Sequence, residues 1–251
     1  MKIIISNDDG VFSPGIMSIA EVVSKKYHTT IIAPDGNRSG YAHSMTLHKP
    51  FNVKEIDANT YLENRQKIDK IYSISGTPVD CIKFAKVKLN RVTEDIIVSG
   101  INSAYNLGTD IMYSGTVAIG CEASFYQGIS FCFSCNTFEK EKLQLFSKFA
   151  LKIIETFTPI SKKGDIWNIN FPNTLDILGI KVTKLGKQIY SDEYVSNENG
   201  FTLTGQPLIH NENDEDCDVE WVNKGYISIT PISFDRTCYD RINEVKNICI
   251  K

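Results

Sequence analysis

The run Lys2-Ile3-Ile4-Ile5-Ser6-Asn7-Asp8-Asp9-Gly10 constrains the fold more than any other stretch of this chain. Three consecutive isoleucines suit a strand covered on both faces, the environment of a parallel sheet with helices on either side. Successive strand side chains point to opposite faces. Asp8 and Asp9 therefore converge on one point only if the chain leaves the strand at Asn7, and Gly10 supplies the freedom for that turn. Two carboxylates that close repel unless a cation or a proton lies between them. The pattern predicts a divalent metal site at the carboxyl end of the first strand. The plainer alternative is an Asp-Gly β-turn.

Residues 11–33 support a parallel sheet. Ser13 suits a helix cap and Pro14 its first position. Ile16, Ile19, Ala20 and Val23 then share one helical face, and Thr29 to Ala33 read as the next strand. Strand, helix, strand in this span is a βαβ unit with a right-handed crossover. Such sheets bind ligands beyond the carboxyl ends of their strands, where Asp8 and Asp9 lie. Asp35 stands where a dinucleotide fold would hold a ribose. However, Asp-Asp-Gly replaces the G-x-G-x-x-G loop, and two carboxylates there repel a pyrophosphate lacking a metal, which argues against NAD.

Further motifs fall at later strand ends. The second strand runs into Pro34-Asp35-Gly36-Asn37-Arg38-Ser39-Gly40, a polar loop in which Ser39 is either a solvated turn residue or a hydroxyl ligand. Residues 41–70 alternate weakly and predict a hairpin, Ser44–Leu47 with Phe51–Ile56. Ile71–Ile74 reads as a strand, and Thr77-Pro78 opens a helix packing Val79, Ile82 and Ala85 or Lys86. Asp95–Ser99 reads as a core strand that breaks at Gly100-Ile101-Asn102, followed by a polar loop with Asn106, Gly108 and Asp110. Ser114-Gly115-Thr116 then begins a small-residue helix, Val117–Phe125. Its N–H groups and hydroxyls suit a phosphate, although capping alone needs only one of the two hydroxyls. Ile129–Phe133, a long amphipathic helix through Leu143 to Phe157, Ile166–Asn170 and Ile180–Thr183 complete the regular pattern. Residues 190–220 read as polar and irregular, with the acidic run 211–216 a solvated loop. Tyr226–Pro231 is a last strand, and Tyr239, Ile242 and Val245 mark a short final helix.

Composition removes several classes of function. At 251 residues, with 42% hydrophobic and 23% charged residues, the chain is ordinary globular protein. A net charge of −3 gives no electrostatic case for nucleic acid or a membrane surface. The apolar runs are too short to span a bilayer, and a strand at the very start predicts no signal peptide. The seven cysteines are scattered and odd in number, with Cys132 and Cys135 lying in or just after an apolar run. They read as reduced core residues of a cytoplasmic protein rather than as zinc ligands.

Four strand ends thus offer polar groups to one crevice: Asp8 and Asp9, Ser39, Asn102, and the Ser114-Gly115-Thr116 helix start. An all-oxygen set without a His or Cys pair favours Mg²⁺ or Mn²⁺ over zinc. Such an ion polarises a phosphoryl oxygen and lowers the pKa of a bound water, which suits hydrolysis of a phosphate ester. In a competing D-x-D-G scheme the first Asp is the nucleophile. Asn7 holds that place here and cannot serve, so direct attack by water is favoured. The base is then Asp8, Asp9 or neither. A receiver-like domain would need a phosphoacceptor Asp where Ser99-Gly100-Ile101-Asn102 stands.

The motifs Asn7-Asp8-Asp9-Gly10, Asn37-Arg38-Ser39-Gly40, Ser75-Gly76-Thr77-Pro78, Ser99-Gly100-Ile101-Asn102, Asn106-Leu107-Gly108, Tyr113-Ser114-Gly115-Thr116-Val117 and Gly225–Pro231 occur in this order. From residue 1 to about 237 the chain resembles the stationary-phase survival protein SurE family. The resemblance implies a Rossmann-like three-layer α/β/α core with a mostly parallel sheet, spanning 1–185. It also implies a 186–251 segment of extended β-hairpin, returning strand and C-terminal helix that assembles a homodimer or homotetramer. The implied activity is a metal-dependent 5′-nucleotidase that hydrolyses nucleoside 5′- and 3′-monophosphates and, in some members, short polyphosphate. The non-enzymatic alternatives are a nucleotide or phosphate sensor and an inactive oligomer. The family's metal ligands, for one divalent ion per subunit, fall on Asp8, Asp9, Ser39 and Asn102, with Asp8 and Asp9 catalytic. Its phosphate contacts fall on Asn106, Ser114, Gly115 and Thr116. The family usually has glycine where Ala104 and Ala123 stand, and residues 190–215 lack its Asp-Pro-Arg-Gly and aromatic pattern.

Overall fold

The computed structural model describes the chain except for residues 63–66, 94, 199, 207, 209–215, 247 and 249–251. In chain order its elements are β1 (Lys2–Ser6), α1 (Pro14–Ser24), β2 (His28–Pro34), β3 (Val53–Glu55), α2 (Ala58–Tyr61), β4 (Ile68–Ile74), α3 (Pro78–Leu89), β5 (Ile96–Asn102), α4 (Gly115–Phe125) and β6 (Ile129–Ser134). The remaining elements are α5 (Lys140–Phe157), β7 (Ile166–Asn170), β8 (Ile180–Val182), β9 (Glu193–Asn197), β10 (Gly200–Thr204), α6 (Asp218–Asn223), β11 (Ile227–Ile232) and α7 (Tyr239–Val245). A nine-stranded sheet has the order β3-β4-β2-β1-β5-β6-β7-β11-β8, and β9 and β10 form a separate antiparallel hairpin. β4 through β7 pair in parallel along that order, whereas β3 joins β4, and β11 joins β7, antiparallel.

The isoleucines of β1 separate the layers. Ile3 and Ile5 pack with Ile16, Ile19 and Val23 of α1 and with Phe146 and Ile153 of α5. Ile4 faces the opposite way, among Cys81, Ile82 and Ala85 of α3 and Ile119 and Ala123 of α4. One run of three residues thus serves both cores, which is why it carries no polar side. The chain proceeds from β1 outward to β2 and β4, then returns to the other side of β1 as β5 and continues to β6 and β7. β1 and β5 therefore flank the switch point, where crossovers on opposite sides open a crevice at the strand ends.

Three expectations are corrected. Ser44–Leu47 is not a strand; only Val53–Glu55 pairs, as the sheet edge. The polar groups of 44–46 find partners on α3 instead. The Thr77 hydroxyl donates to the Ser44 carbonyl at 2.8 Å, and the Thr46 N–H and hydroxyl donate to Asp80 at 3.1 and 2.6 Å. β5 does not break at Gly100. It runs through a register shift against β6 to Asn102, with Gly100 at φ +109° and the Gly100–Ile101 peptide cis. The segment that reads as irregular from its residues holds the β9–β10 hairpin that the family resemblance implies, and α6, whose Val219 and Val222 bury with Leu107 and Cys217 in a small satellite core. Of the acidic run, residues 211–215 lie outside the described residues. The segment after 186 also contributes β11 to the main sheet.

Candidate active site

The turn that presents the acids is built by Asn7, which is fully buried. Its side-chain amide donates to the Gly10 carbonyl at 2.9 Å and to the Ser13 hydroxyl at 2.7 Å, and its oxygen accepts the Gly10 N–H at 3.2 Å. Ser13 occupies the cap position of α1 but makes no capping bond there. Gly10 has φ +106°, and a Cβ there would lie 3.0 Å from the Cα of Gly36. The first turn is thus pressed onto the 34–38 loop, with the Val11 N–H donating to Pro34 at 2.8 Å and the Arg38 N–H to the Asp8 carbonyl at 2.7 Å. Ser39 comes directly after. It is exposed, and its N–H is taken by the Asn37 side chain at 2.7 Å.

Asp8 is 3% exposed and sits against the first turn of α4. The Thr116 hydroxyl donates to Asp8 Oδ1 at 2.6 Å, and the Gly115 N–H also bonds the carboxylate. The approach requires glycine, because a Cβ on Gly115 would lie 2.7 Å from the Cβ of Asp8. Burial pushes Asp8 up to about 6; the neighbouring charge of Asp9 adds to this, and the Thr116 and Gly115 bonds oppose it. Asp9 is half-buried and accepts from the Ser103 N–H at 3.2 Å and the Ser103 hydroxyl at 3.3 Å. Burial raises its pKa as well, against those two bonds. Asn102 donates its amide to the Ala104 carbonyl at 2.8 Å, which leaves its side-chain oxygen without a hydrogen bond among the described residues. Ala104 does not have positive φ, so the backbone there does not call for glycine.

The expected phosphate residues divide. Ser114 caps α4 by accepting the Val117 N–H at 3.0 Å, which leaves its hydroxyl hydrogen to donate. Thr116 is fully buried, and its hydroxyl hydrogen goes to Asp8. Asn106 lies in a buried asparagine cluster. Its N–H donates to Asn170 Oδ1 at 2.9 Å, its amide to the Ser134 hydroxyl at 2.6 Å, and its carbonyl accepts from the amides of Asn168 and Asn170. One of its two amide hydrogens is committed to Ser134.

With this geometry in place, comparison with known proteins decides the family. A model described as Survival protein SurE matches residues 3–192. The chain belongs to the SurE family. It is 37% identical to a protein named 5′-nucleotidase SurE from Thermoanaerobacter sp. (strain X514), over all of this chain and 99% of that one. It is 36% identical to one of the same name from Clostridium beijerinckii, over 99% of each. The crystal structure of the Sure protein from Aquifex aeolicus covers 99% of both chains with a TM-score of 0.83 and 30% identity.

Two residues of this SurE chain escaped the motif reading. Ser103, one place beyond Asn102, is the hydrogen-bonding partner of Asp9; its adjacency to a strand end was the only signal. Asp218 is fully buried and accepts the N–H groups of Gly108, Gly186 and Val219 at 2.9, 2.8 and 2.9 Å, which fastens the 108–110 turn to residues 184–186. Asp218 follows the acidic run 211–216 across Cys217, where one more aspartate carries no signal. Neither Asp8 nor Asp9 has an ion pair among the described residues. No group of three His, Cys, Asp or Glu side chains that could hold a metal occurs there either. A cation at this site would draw on two carboxylates completed by neutral oxygens.

Proposed function

We propose that the chain is a divalent-metal-dependent phosphomonoesterase that hydrolyses nucleoside 5′-monophosphates, and 3′-monophosphates and short polyphosphate by the same chemistry. The observation that carries the proposal is the contact of Asp8 with the N-terminus of α4: an acid pair and a ready-made anion site share one turn. The names of the relatives supply the substrate class.

The donor set fits a hard cation. Asp8 and Asp9 balance a divalent charge, and the Asn102 side-chain oxygen and Ser39 hydroxyl add neutral donors. Like charges buried side by side with raised pKa values are what a cation relieves. Bound there, Mg²⁺ or Mn²⁺ would polarise the phosphoryl group and acidify water. The residues do the rest. The Thr116 N–H at the α4 N-terminus and the Ser114 hydroxyl hold the phosphate and take up charge that develops on its oxygens. Asp8, enclosed by Thr116 and Gly115, is fixed as a ligand. Asp9, the more open acid, takes the proton from the attacking water.

The chain divides in this proposal into a nucleotidase core, 1–185, and an assembly segment, 186–251, that forms a homodimer or homotetramer. The exposed Tyr194, Phe201 and Tyr239 support the assembly. Buried thiols at Cys81, Cys132 and Cys135 suit a reducing, cytoplasmic setting. No helix among the described residues is long and apolar enough to cross a membrane.

The test is phosphate release from nucleoside monophosphates, p-nitrophenyl phosphate and tripolyphosphate, with EDTA, Mg²⁺ or Mn²⁺. Turnover of monophosphates that EDTA abolishes and one metal restores is expected. No release from folded protein with any metal would leave only a nucleotide sensor or an inactive oligomer.

A further inference from the structure

A cavity of about 760 Å³ opens beside Tyr113, between the 109–113 turn and the base of the β9–β10 hairpin. We propose that it is the nucleobase subsite and that the hairpin forms its outer wall; this rests on the nucleotidase proposal above. Five side chains with large exposed apolar surfaces line this one space. Met112 and Tyr113 come from the turn, Ile189 and Tyr190 from the approach to β9, and Leu203 from β10. Tyr113 is 70% exposed, so its ring offers a face on which a base can stack.

Position and charge give the ligand its orientation. Tyr113 directly precedes Ser114 and Gly115, so two Cα–Cα steps of about 3.8 Å keep its backbone within about 7.6 Å of Gly115. Gly115 in turn abuts Asp8. A phosphate held at the α4 N-terminus thus leaves its nucleoside one short reach from the cavity. Asp110 and Asp192 also line the cavity. Two carboxylates there repel a phosphate and accept hydrogen bonds from exocyclic amino groups of a base. The ligand therefore lies phosphate toward α4 and base toward the hairpin.

The wall is fastened to the turn. The Tyr190 hydroxyl donates to Asp110 at 2.5 Å. The Thr109 hydroxyl donates to the Gln188 carbonyl at 2.6 Å, and the Gln188 N–H donates back to Thr109 at 3.2 Å. Tyr190, Asp192 and Leu203 to Gly205, within the stretch that lacks the family's usual pattern, thus line the proposed base subsite. A smaller cavity of about 330 Å³ between Phe12 and Phe138 borders Asp9 and is the competing location.

The test is calorimetric titration of the full chain, in EDTA, with adenosine and with ribose. The wild type should bind adenosine at least about tenfold more tightly than ribose. Tyr113→Ala should abolish that difference, Tyr113→Phe should keep it within about threefold, and Phe12→Ala should leave it unchanged. Adenosine binding that survives Tyr113→Ala, or that is lost in Phe12→Ala, overturns the assignment. A wild type that releases phosphate from AMP but does not distinguish adenosine from ribose also overturns it, while sparing the activity. Absence of both release and binding would sink the nucleotidase proposal itself.

Discussion

Asp8 and Asp218 are both buried carboxylates that accept backbone N–H groups, yet their surroundings make them opposite devices. Asp218 takes N–H groups on both oxygens, from Gly108 on one and from Gly186 and Val219 on the other, and no second acid is among the groups acting on it. It joins the 108–110 turn to the loop at Gly186. Asp8 takes the Thr116 hydroxyl and the Gly115 N–H, and burial, with the charge of Asp9 added, raises it to about 6. Its burial destabilises the anion unless a cation arrives. Burial raises both acids; at Asp218 three backbone N–H groups answer it, whereas at Asp8 the charge of Asp9 adds to it.

The largest effect should come from Asp8→Asn. It should lower metal-dependent turnover by roughly a thousandfold or more while the fold persists. Its stability in EDTA tests the same contrast. Folded Asp8 keeps its proton to about pH 6, whereas the unfolded chain loses it near 3.8. Metal-free wild type should therefore lose about 3 kcal/mol from Asp8 as pH rises from 4 past 6, then level off. Asp8→Asn should lack that part of the slope and be the more stable protein at pH 7. Urea midpoints across pH 4–8 read this directly.

Asp218→Ala should do the reverse. Three buried N–H groups lose their acceptor, at a cost of about 3–5 kcal/mol in unfolding free energy. The metal affinity of the molecules that remain folded should not change. A variant that unfolds normally but no longer binds metal would collapse the distinction between the two acids.

The smallest effect belongs to Thr116→Val, which keeps the volume but removes the donor to Asp8. A hydrogen bond to a carboxylate of about 1.5 kcal/mol predicts roughly tenfold weaker metal binding. Thr116→Ser should restore most of it. Unchanged metal affinity, with a higher KM for phosphate esters instead, would return Thr116 to the phosphate.

Much of this was legible in the sequence because it is local. Apolar periodicity marked α1, α5 and the central strands, and Gly10 after two acids marked the turn. The partners of those acids were not legible. Thr116 lies 108 residues from Asp8, and nothing in Ser-Gly-Thr says which hydroxyl caps the helix and which reaches a carboxylate. Ser44–Leu47 alternated like a strand, but Thr77 and Asp80 at the start of α3 claimed its polar groups first. Asp218 was hidden by its acidic neighbours, since charge density signals solvent while burial depends on three distant backbone groups.

The first turn of α4 touches Asp8 on one side and, in the proposed mechanism, the phosphate on the other. A shift of that turn of a few tenths of an ångström would be felt at both. Cation and substrate should then bind as thermodynamically linked ligands, and linkage is reciprocal: the factor by which phosphate tightens the metal is the factor by which the metal tightens phosphate.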